Sequence, residues 1–334
     1  MTRFHALLLL FIVLVAHHTG EATAASNDSI EKKAGSYNRL GLEKIKENKY
    51  EEAVQCFDKV IALKPGDASA WNSKGYALNK LHNTSALACY QKAVALDPGY
   101  AEAWLNLAYY YMQFGSYNEE YFSKAIKLKP DFAEAWAGRG INILMLIENS
   151  GWALSNNQGE KEEARKYANE AIGCFDKAIQ LKPGYAEAWK YKGDCYFMIA
   201  ETKIGRKDIK TYYEEAIQFY AKAGDLQPDT INDYVLENMG VSHDSLGRYD
   251  KALACFKRVK RGRNLAYRMG ITYLHLERYR EAIQCFDAIL EQHGEMHERV
   301  KVLNEKGRAL KALGKNEDAK KCFDEALKTE HQLR

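Results

Sequence analysis

Apolar residues recur along most of this chain at the three- and four-residue spacing of amphipathic helices. The run AIGCFDKAIQL at residues 171–181 is an example, and it ends just before a proline. Similar runs precede every proline of the chain, in five dipeptides: Lys64-Pro65, Asp97-Pro98, Lys129-Pro130, Lys182-Pro183 and Gln227-Pro228. Proline has no backbone N–H to donate and therefore stops a helix. The pattern predicts an all-α chain built from short helices.

Small and aromatic residues occupy fixed positions relative to these helices. A tryptophan follows four of the five prolines: Trp71, Trp104, Trp136 and Trp189. A column of small residues, four positions after each tryptophan, continues along the chain: Gly41, Gly75, Ala108, Gly140, Gly193, Gly240, Gly270 and Gly307. A later column is aromatic: Phe57, Tyr90, Phe122, Phe175, Tyr220, Phe256, Phe286 and Phe323. Alanine precedes most of these aromatics by four positions: Ala53, Ala86, Ala171, Ala216, Ala252, Ala282 and Ala319.

These columns resemble the tetratricopeptide repeat, whose signature is an early aromatic, a small eighth residue, an alanine, a later aromatic and a final proline. The resemblance covers nearly the whole chain after about residue 34. It implies a right-handed α-solenoid of about eight helical hairpins, because one hairpin cannot cover its own apolar face and must stack on its neighbours. The predicted repeats are 34–67, 68–100, 101–132, 133–185, 186–230, 231–262, 263–299 and 300–330.

Several repeats depart from the regular pattern. Repeats four and five carry insertions between their two helices, and the added residues look helical on both sides of residues 155–159 and 205–208. We expect two adjacent, lengthened hairpins there. Repeats six to eight lack the final proline, so their stacking angles can differ from those of the first five. The last repeat has Lys320 where inner repeats have an apolar residue facing the next repeat, which indicates that the array stops near residue 330.

The N-terminal segment has the layout of a secretory signal. Arg3 precedes an unbroken apolar run at residues 6–16, and Ala22-Thr23-Ala24 provides the small residues that signal peptidases read. We predict a signal peptide at residues 1–24, cleaved near Ala24, followed by a linker at residues 25–33. An uncleaved membrane tether is the alternative, and after cleavage no stable membrane span is expected. The protein is predicted to be secreted or to lie in the cell envelope.

The charge and motifs of the chain exclude several functions. The formal net charge of +3 is nearly balanced, so there is no overall electrostatic basis for binding nucleic acid. The sequence has no glycine-rich phosphate loop, nucleophile elbow or zinc-finger spacing. His293 and His297 are spaced like ligands on a helix, but Gly294 between them is expected to end a helix and no third ligand is evident. We therefore expect no enzyme activity, no cofactor and no metal.

Six of the seven cysteines share one position, directly before the later aromatic: Cys56, Cys89, Cys174, Cys255, Cys285 and Cys322. A ladder of disulfides or metal sites is one interpretation. Neighbouring second helices lie roughly 10 Å apart in ordinary helix packing, whereas a disulfide needs Cα atoms within about 7 Å. The pattern favours small buried apolar residues. Unpaired thiols are unusual in an oxidising compartment, and the sequence leaves open whether burial or a weakly oxidising exterior explains them.

The family resemblance also implies a binding face. Ligands of tetratricopeptide repeats usually meet positions two, five, nine, twelve and thirteen of the first helices, which line the concave side. In the central repeats these positions hold Tyr76, Leu105, Tyr109, Met112, Ile141, Leu144, Lys190, Asp194 and Phe197. The lysine and asparagine pair that grips a free C-terminal carboxylate in chaperone-binding members is not present, since Lys190 is followed by Asp194. The alternative is that some of these side chains pack inside the solenoid.

Two further surface features carry candidate chemistry. The segment 257–263 concentrates five basic residues where the second helix of repeat six ends: Lys257, Arg258, Lys260, Arg261 and Arg263. Such cations complement the helix dipole, and they could alternatively dock an acidic partner. Asn27 and Asn83 begin sequences that fit the N-glycosylation pattern, and both are expected to be exposed.

These observations favour a non-catalytic scaffold that holds a peptide or helical segment of another protein outside the cytoplasm. The second hypothesis is a structural component of the cell envelope that binds glycan or associates with itself. The partner's identity and the oligomeric state are not encoded in any recognisable motif.

Overall fold

The computed structural model describes residues 28–117, 119–203, 209–262, 264–291 and 296–332, except for the side chains of residues 154, 296 and 297. The predicted signal peptide lies outside these residues, and the chain is already helical at residue 28, within the predicted linker. The helices are α1 (28–46), α2 (Tyr50–Leu63), α3 (Ala68–Lys80), α4 (Ala86–Leu96), α5 (Ala101–Gln113), α6 (Glu119–Leu128), α7 (Ala133–Ser150), α8 (Gln158–Leu181), α9 (Ala186–Thr202), α10 (Ile209–Leu226), α11 (Asp233–Ser245), α12 (Tyr249–Phe256), α13 (Leu265–His275), α14 (Tyr279–Leu290), α15 (Met296–Ala312) and α16 (Asn316–Gln332). Short 3₁₀ turns span Trp152–Leu154 and Pro228–Thr230.

The predicted all-α class is confirmed, because every regular element in the described part of the chain is a helix. Consecutive helices pair as eight hairpins, from α1 with α2 to α15 with α16, one for each predicted repeat. The chain divides into two compact units, the first ending at Gly138 and the second beginning at Arg139. The first three hairpins belong to the first unit and the last four to the second. The boundary falls inside α7.

The small and aromatic columns meet inside each hairpin. A Cβ atom added to Gly41 would lie 2.8 Å from the Phe57 ring, and one added to Gly240 would lie 2.3 Å from the Phe256 ring. Both rings are fully buried. The eighth position is small because the aromatic ring of the second helix occupies the space where a side chain would stand.

The proline and tryptophan columns are linked by one repeated hydrogen bond. The Trp71 indole N–H donates to the carbonyl of Pro65 at 3.0 Å. The same bond recurs at 2.9–3.0 Å in three further repeats, from Trp104 to Pro98, Trp136 to Pro130 and Trp189 to Pro183. A turn that ends one repeat is thus fastened to the first helix of the next. The junction between repeats five and six keeps Pro228 but has Tyr234 in place of the tryptophan, and the two later junctions have neither partner.

The insertions in repeats four and five lengthen the helices, as predicted. In the second unit, α8 has 24 residues and α10 has 18. The added segments pack on each other, since the Arg165 guanidinium donates to the Tyr212 hydroxyl at 2.7 Å. Helix α8 begins at Gln158, inside the predicted loop at residues 155–159. The other predicted loop, residues 205–208, lies outside the described residues.

Burial of the cysteine column confirms its predicted role as core. Five of its six members are buried, and Cys285 is half-buried. The seventh cysteine, Cys195, is fully buried. Lys320 is exposed on α16, as expected for the final repeat. Among the described residues, none of the helices combines the length and the apolar character needed to cross a membrane.

Candidate protein-interaction surface

The first helices of successive repeats lie side by side within each unit. In the first unit, α3 contacts α5. In the second unit, α9 contacts α11, α11 contacts α13, and α13 contacts α15. These helices therefore form a continuous face in each unit, called here the first-helix face. Side chains that point outward from it are the ones available to a ligand.

The first unit carries four of the predicted binding residues. Leu105 is only 6% exposed and packs with Tyr109 and Met112 around the buried Phe122. The Tyr109 ring meets the Phe122 ring edge-on with centroids 5.5 Å apart. Tyr109 and Met112 are half-buried, as is Tyr76 on α3. The structure brings three of the four together, with the tyrosine and the methionine partly accessible above a buried leucine.

The second unit carries the other five. Ile141, Lys190 and Phe197 are half-buried, whereas Leu144 and Asp194 are buried. Together with Leu105, these two buried residues do not present their side chains to solvent. They were predicted from their repeat positions alone, and neighbouring side chains cover them in the folded chain. They support the first-helix face from beneath rather than form its surface.

Asp194 belongs to a buried polar network. The Tyr220 hydroxyl donates to Asp194 Oδ1 at 2.7 Å, and the Asn238 amide donates to the Tyr220 hydroxyl at 3.3 Å. Desolvation raises the pKa of the Asp194 carboxyl to about 7, although the Tyr220 hydrogen bond and nearby Lys190 oppose this rise. The network joins the hairpins of repeats five and six.

Two adjoining hollows open on the first-helix face of repeats six to eight. The first has a volume of about 270 Å³ and is lined by residues of α11 and α13, with Phe256 of α12 and Asn264 before α13: Val241, Asp244, Phe256, Asn264, Tyr267, Arg268, Ile271 and Thr272. The second, of about 360 Å³, is lined by Ile271, Leu274, His275, Tyr279, Glu305 and Arg308. Ile271 lines both hollows, which makes them neighbours along the face.

Ion pairs and hydrogen bonds hold the polar groups of the hollows in place. The Arg268 Nε donates to Glu237 at 2.9 Å, from α13 to α11. The Thr272 hydroxyl donates to Asp244 at 2.8 Å, and His275 Nδ1 lies 3.4 Å from the same carboxylate oxygen. Apolar surface from Ile271 thus alternates with fixed charged groups. This combination suits recognition of a ligand with both apolar and polar side chains.

The sequence contained a signal for these hollows. Positions two, five, nine, twelve and thirteen of repeat seven hold Asn264, Tyr267, Ile271, Leu274 and His275, all of which line one hollow or the other. The prediction applied the family's contact positions only to the central repeats. Applied to repeat seven, the same positions identify the site.

The remaining candidates are distributed over the surface. Lys257, Arg258, Lys260 and Arg261 are exposed, and Arg263 lies outside the described residues. Asn83 is exposed in the turn between α3 and α4, and Asn27 lies outside the described residues. His293 and the side chain of His297 also fall outside. Within the described ranges, no group of three or more His, Cys, Asp or Glu residues is arranged to hold a metal ion.

Several solved structures are similar in fold to this chain. The pilF protein of Pseudomonas aeruginosa matches with a TM-score of 0.55 at 15% identity, over 75% of this chain and 99% of that one. PilW, described as a widely conserved type IV pilus biogenesis factor, gives 0.53 at 14% identity, over 68% and 92%. A tetratricopeptide repeat protein of Parabacteroides merdae gives 0.48 at 13%, over 82% and 99%. At these identities the likeness concerns the fold alone.

Sequence comparison identifies the family directly. The tetratricopeptide repeat model matches residues 34–67, 101–132, 234–261, 264–292 and 300–330, and a second TPR repeat model matches residues 83–115. No curated protein has significant sequence similarity to this chain. Each segment matched by the first model falls on one hairpin, whereas residues 83–115 join α4 to α5 of the next repeat. The chain belongs to the tetratricopeptide repeat family.

Proposed function

We propose that this protein is a non-catalytic scaffold that binds a peptide or helical segment of a partner protein on its first-helix face, outside the cytoplasm. The observation that carries the proposal is the pair of adjoining hollows that share Ile271 on α13. The repeat fold is of a type used for protein interaction, and the hollows provide a place where the side chains of a bound segment could enter.

The chemistry of the hollows favours a polypeptide. Each hollow combines an apolar floor with charged groups already fixed by ion pairs, such as Arg268 with Glu237. A peptide offers apolar and polar side chains in alternation and can occupy two neighbouring hollows at once. Tyr267 contributes a rigid aromatic surface of the kind enriched at protein interfaces.

The place of action rests on the first residues of the chain. The apolar run at residues 6–16 and the small residues Ala22 and Ala24 support export through a signal peptide. The partner is then a secreted protein or a protein of the cell envelope. In the first unit, Tyr109 and Met112 on α5 offer a separate, partly accessible surface to a ligand.

Photo-crosslinking in intact cells tests this function. A photoreactive amino acid replaces His275, which is exposed and lines the second hollow. We expect one discrete polypeptide adduct in the extracytoplasmic fraction, with a mature chain that begins near Ala25. The adduct should disappear when Ile271→Glu is added, because a carboxylate replaces the apolar floor of both hollows.

The matched control places the same photoreactive residue at His331, which is exposed at the end of α16 and lines neither hollow. An identical adduct from both positions would show that capture is unspecific. Adducts only to glycan or to a second copy of the chain would refute peptide binding in favour of an assembly role. Recovery of the adduct in the cytoplasm would refute the location.

A further inference from the structure

A group of cations without ion-pair partners lies on the second unit. Lys257, Arg258, Lys260 and Arg261 are exposed where α12 ends, and none of them lies within ion-pair distance of a carboxylate in the described part of the chain. Some exposed cations of this unit are paired, for example Arg248 with Glu214, whereas these four lie within five consecutive residues of the chain without such a partner among the described residues. We propose that this basic loop, residues 257–262, together with Tyr234, binds an acidic peptide segment of a partner protein.

The backbone of the basic loop is fixed rather than free. The N–H groups of Lys260 and Arg261 donate to the two carboxylate oxygens of Asp233 at 3.1 and 3.0 Å. Val259, between the basic residues, is buried and anchors the loop to the core. Because the hydrogen bonds to Asp233 and the buried Val259 both hold the backbone, the cationic side chains extend from a fixed loop. Binding an anionic ligand therefore requires little ordering of the loop itself.

An open hollow of about 710 Å³ lies beside the basic loop. Its lining includes Arg258, Lys260, Arg261, Ile231 and Tyr234. The Tyr234 side chain is 50% exposed, which is unusual for a large aromatic residue in this chain, and its hydroxyl lies beside Asn238. The hollow thus offers aromatic and aliphatic surface beside three cationic side chains. A peptide with acidic residues around an apolar residue matches both features.

The same geometry argues against smaller or more highly charged anions. A single phosphate would seek backbone N–H groups, but those of Lys260 and Arg261 are already occupied by Asp233. The Asp233 carboxylate also lines the hollow and repels a dense row of phosphates. The net charge of +3 provides no wider basic field for a nucleic acid. Carboxylates spaced along a peptide can contact the individual cations and avoid Asp233.

This basic loop is a separate site from the two hollows that share Ile271. The lining residues of the hollow beside the loop lie between residues 231 and 261, and none of those named for it lines the other two hollows. Acidic-peptide binding therefore does not depend on the proposed role of the first-helix face. Loss of one site should leave the other intact.

The test measures fluorescence anisotropy of a labelled peptide in which glutamates surround a central leucine, using the mature chain. The same peptide with glutamine in place of glutamate is the ligand control. We expect the charge-reversal variant Arg258→Glu/Lys260→Glu/Arg261→Glu to weaken binding at least roughly tenfold, because it replaces attraction with repulsion. Raising the salt from about 0.05 to 0.3 M should also weaken binding, since exposed charges are screened. Tyr234→Ala should weaken it severalfold.

The matched protein control is Lys311→Glu/Lys320→Glu/Lys328→Glu, which makes the same change in net charge at exposed positions of α15 and α16. It should bind the acidic peptide nearly as well as the unaltered chain, as should Ile271→Glu. Equal weakening by both triple variants would overturn the proposal, since the effect would then be one of net charge. Tighter binding of inorganic phosphate or of a single-stranded oligonucleotide at the loop would show that the proposed occupant is wrong. Circular dichroism melts check that each variant is folded.

Discussion

Replacement of Asp194 by asparagine should stabilise the protein increasingly as the pH rises. Asparagine has nearly the same shape and can still accept the hydrogen bond that the Tyr220 hydroxyl donates at 2.7 Å. It removes the ability of this position to ionise. In the native chain Asp194 is 6% exposed, and burial raises the pKa of its carboxyl from 3.8 to about 7. The charged groups nearest to it are Lys190, which favours ionisation, and Glu148, which opposes it.

The direction of this change in stability with pH follows from proton binding. Between pH 4 and 7 the folded chain keeps a proton on Asp194 that the unfolded chain has already released. Folding stability therefore falls as the pH rises through this window. Below the unfolded pKa this group costs nothing, and above the folded pKa its full cost is present and no longer changes with pH. One pKa unit corresponds to about 1.4 kcal/mol. A shift of about three units gives a cost on the order of 4 kcal/mol above pH 7.

Urea unfolding monitored by circular dichroism measures this cost. Unfolding free energies of the unaltered chain and of Asp194→Asn are compared at several values between pH 4.5 and 8. The variant's advantage should grow by about 1.4 kcal/mol per pH unit and then level off above pH 7. Asp324→Asn, at an exposed position of α16, is the control and should show no such trend. A difference between variant and unaltered chain that stays constant with pH would refute a buried carboxyl with a raised pKa.

Two further predictions concern packing inside the hairpins. Gly240→Ala should lower the unfolding free energy by about 1–3 kcal/mol, because its Cβ would lie 2.3 Å from the Phe256 ring. Gly173→Ala in α8 has nothing within 4 Å of the added Cβ and should raise the unfolding free energy by up to about 1 kcal/mol. Thermal unfolding distinguishes the two variants, and an equal effect of both would contradict this packing. Thiol labelling of the folded chain should be fastest at Cys285, which is half-buried, and slowest at Cys195, which is fully buried. Fast labelling of all the thiols would contradict the assignment of these residues to the core.

The sequence by itself determined the fold. The pairing of Gly240 with Phe256 could be predicted because both partners belong to one hairpin, and in the six repeats without insertions the small residue and its aromatic are separated by 14–16 residues. The helical period of the apolar residues fixed which residues form helices, and the repeat of the columns fixed how many hairpins there are. The departures from the regular repeat could also be predicted, since the longer helices of repeats four and five follow from extra residues with helical spacing.

Only the tertiary structure decided what each face of the array exposes. A repeat position specifies which side of a helix a residue occupies, but its burial depends on the side chains contributed by the next repeat. For this reason Leu105, Leu144 and Asp194 are buried, although they occupy positions that contact ligands in the family. The shape of the hollows around Ile271 depends on spacing between neighbouring first helices. The contact of Asp233 with the backbone of the basic loop joins residues 27 and 28 positions apart. Such properties arise from packing between repeats, and the pattern within a single repeat does not contain them.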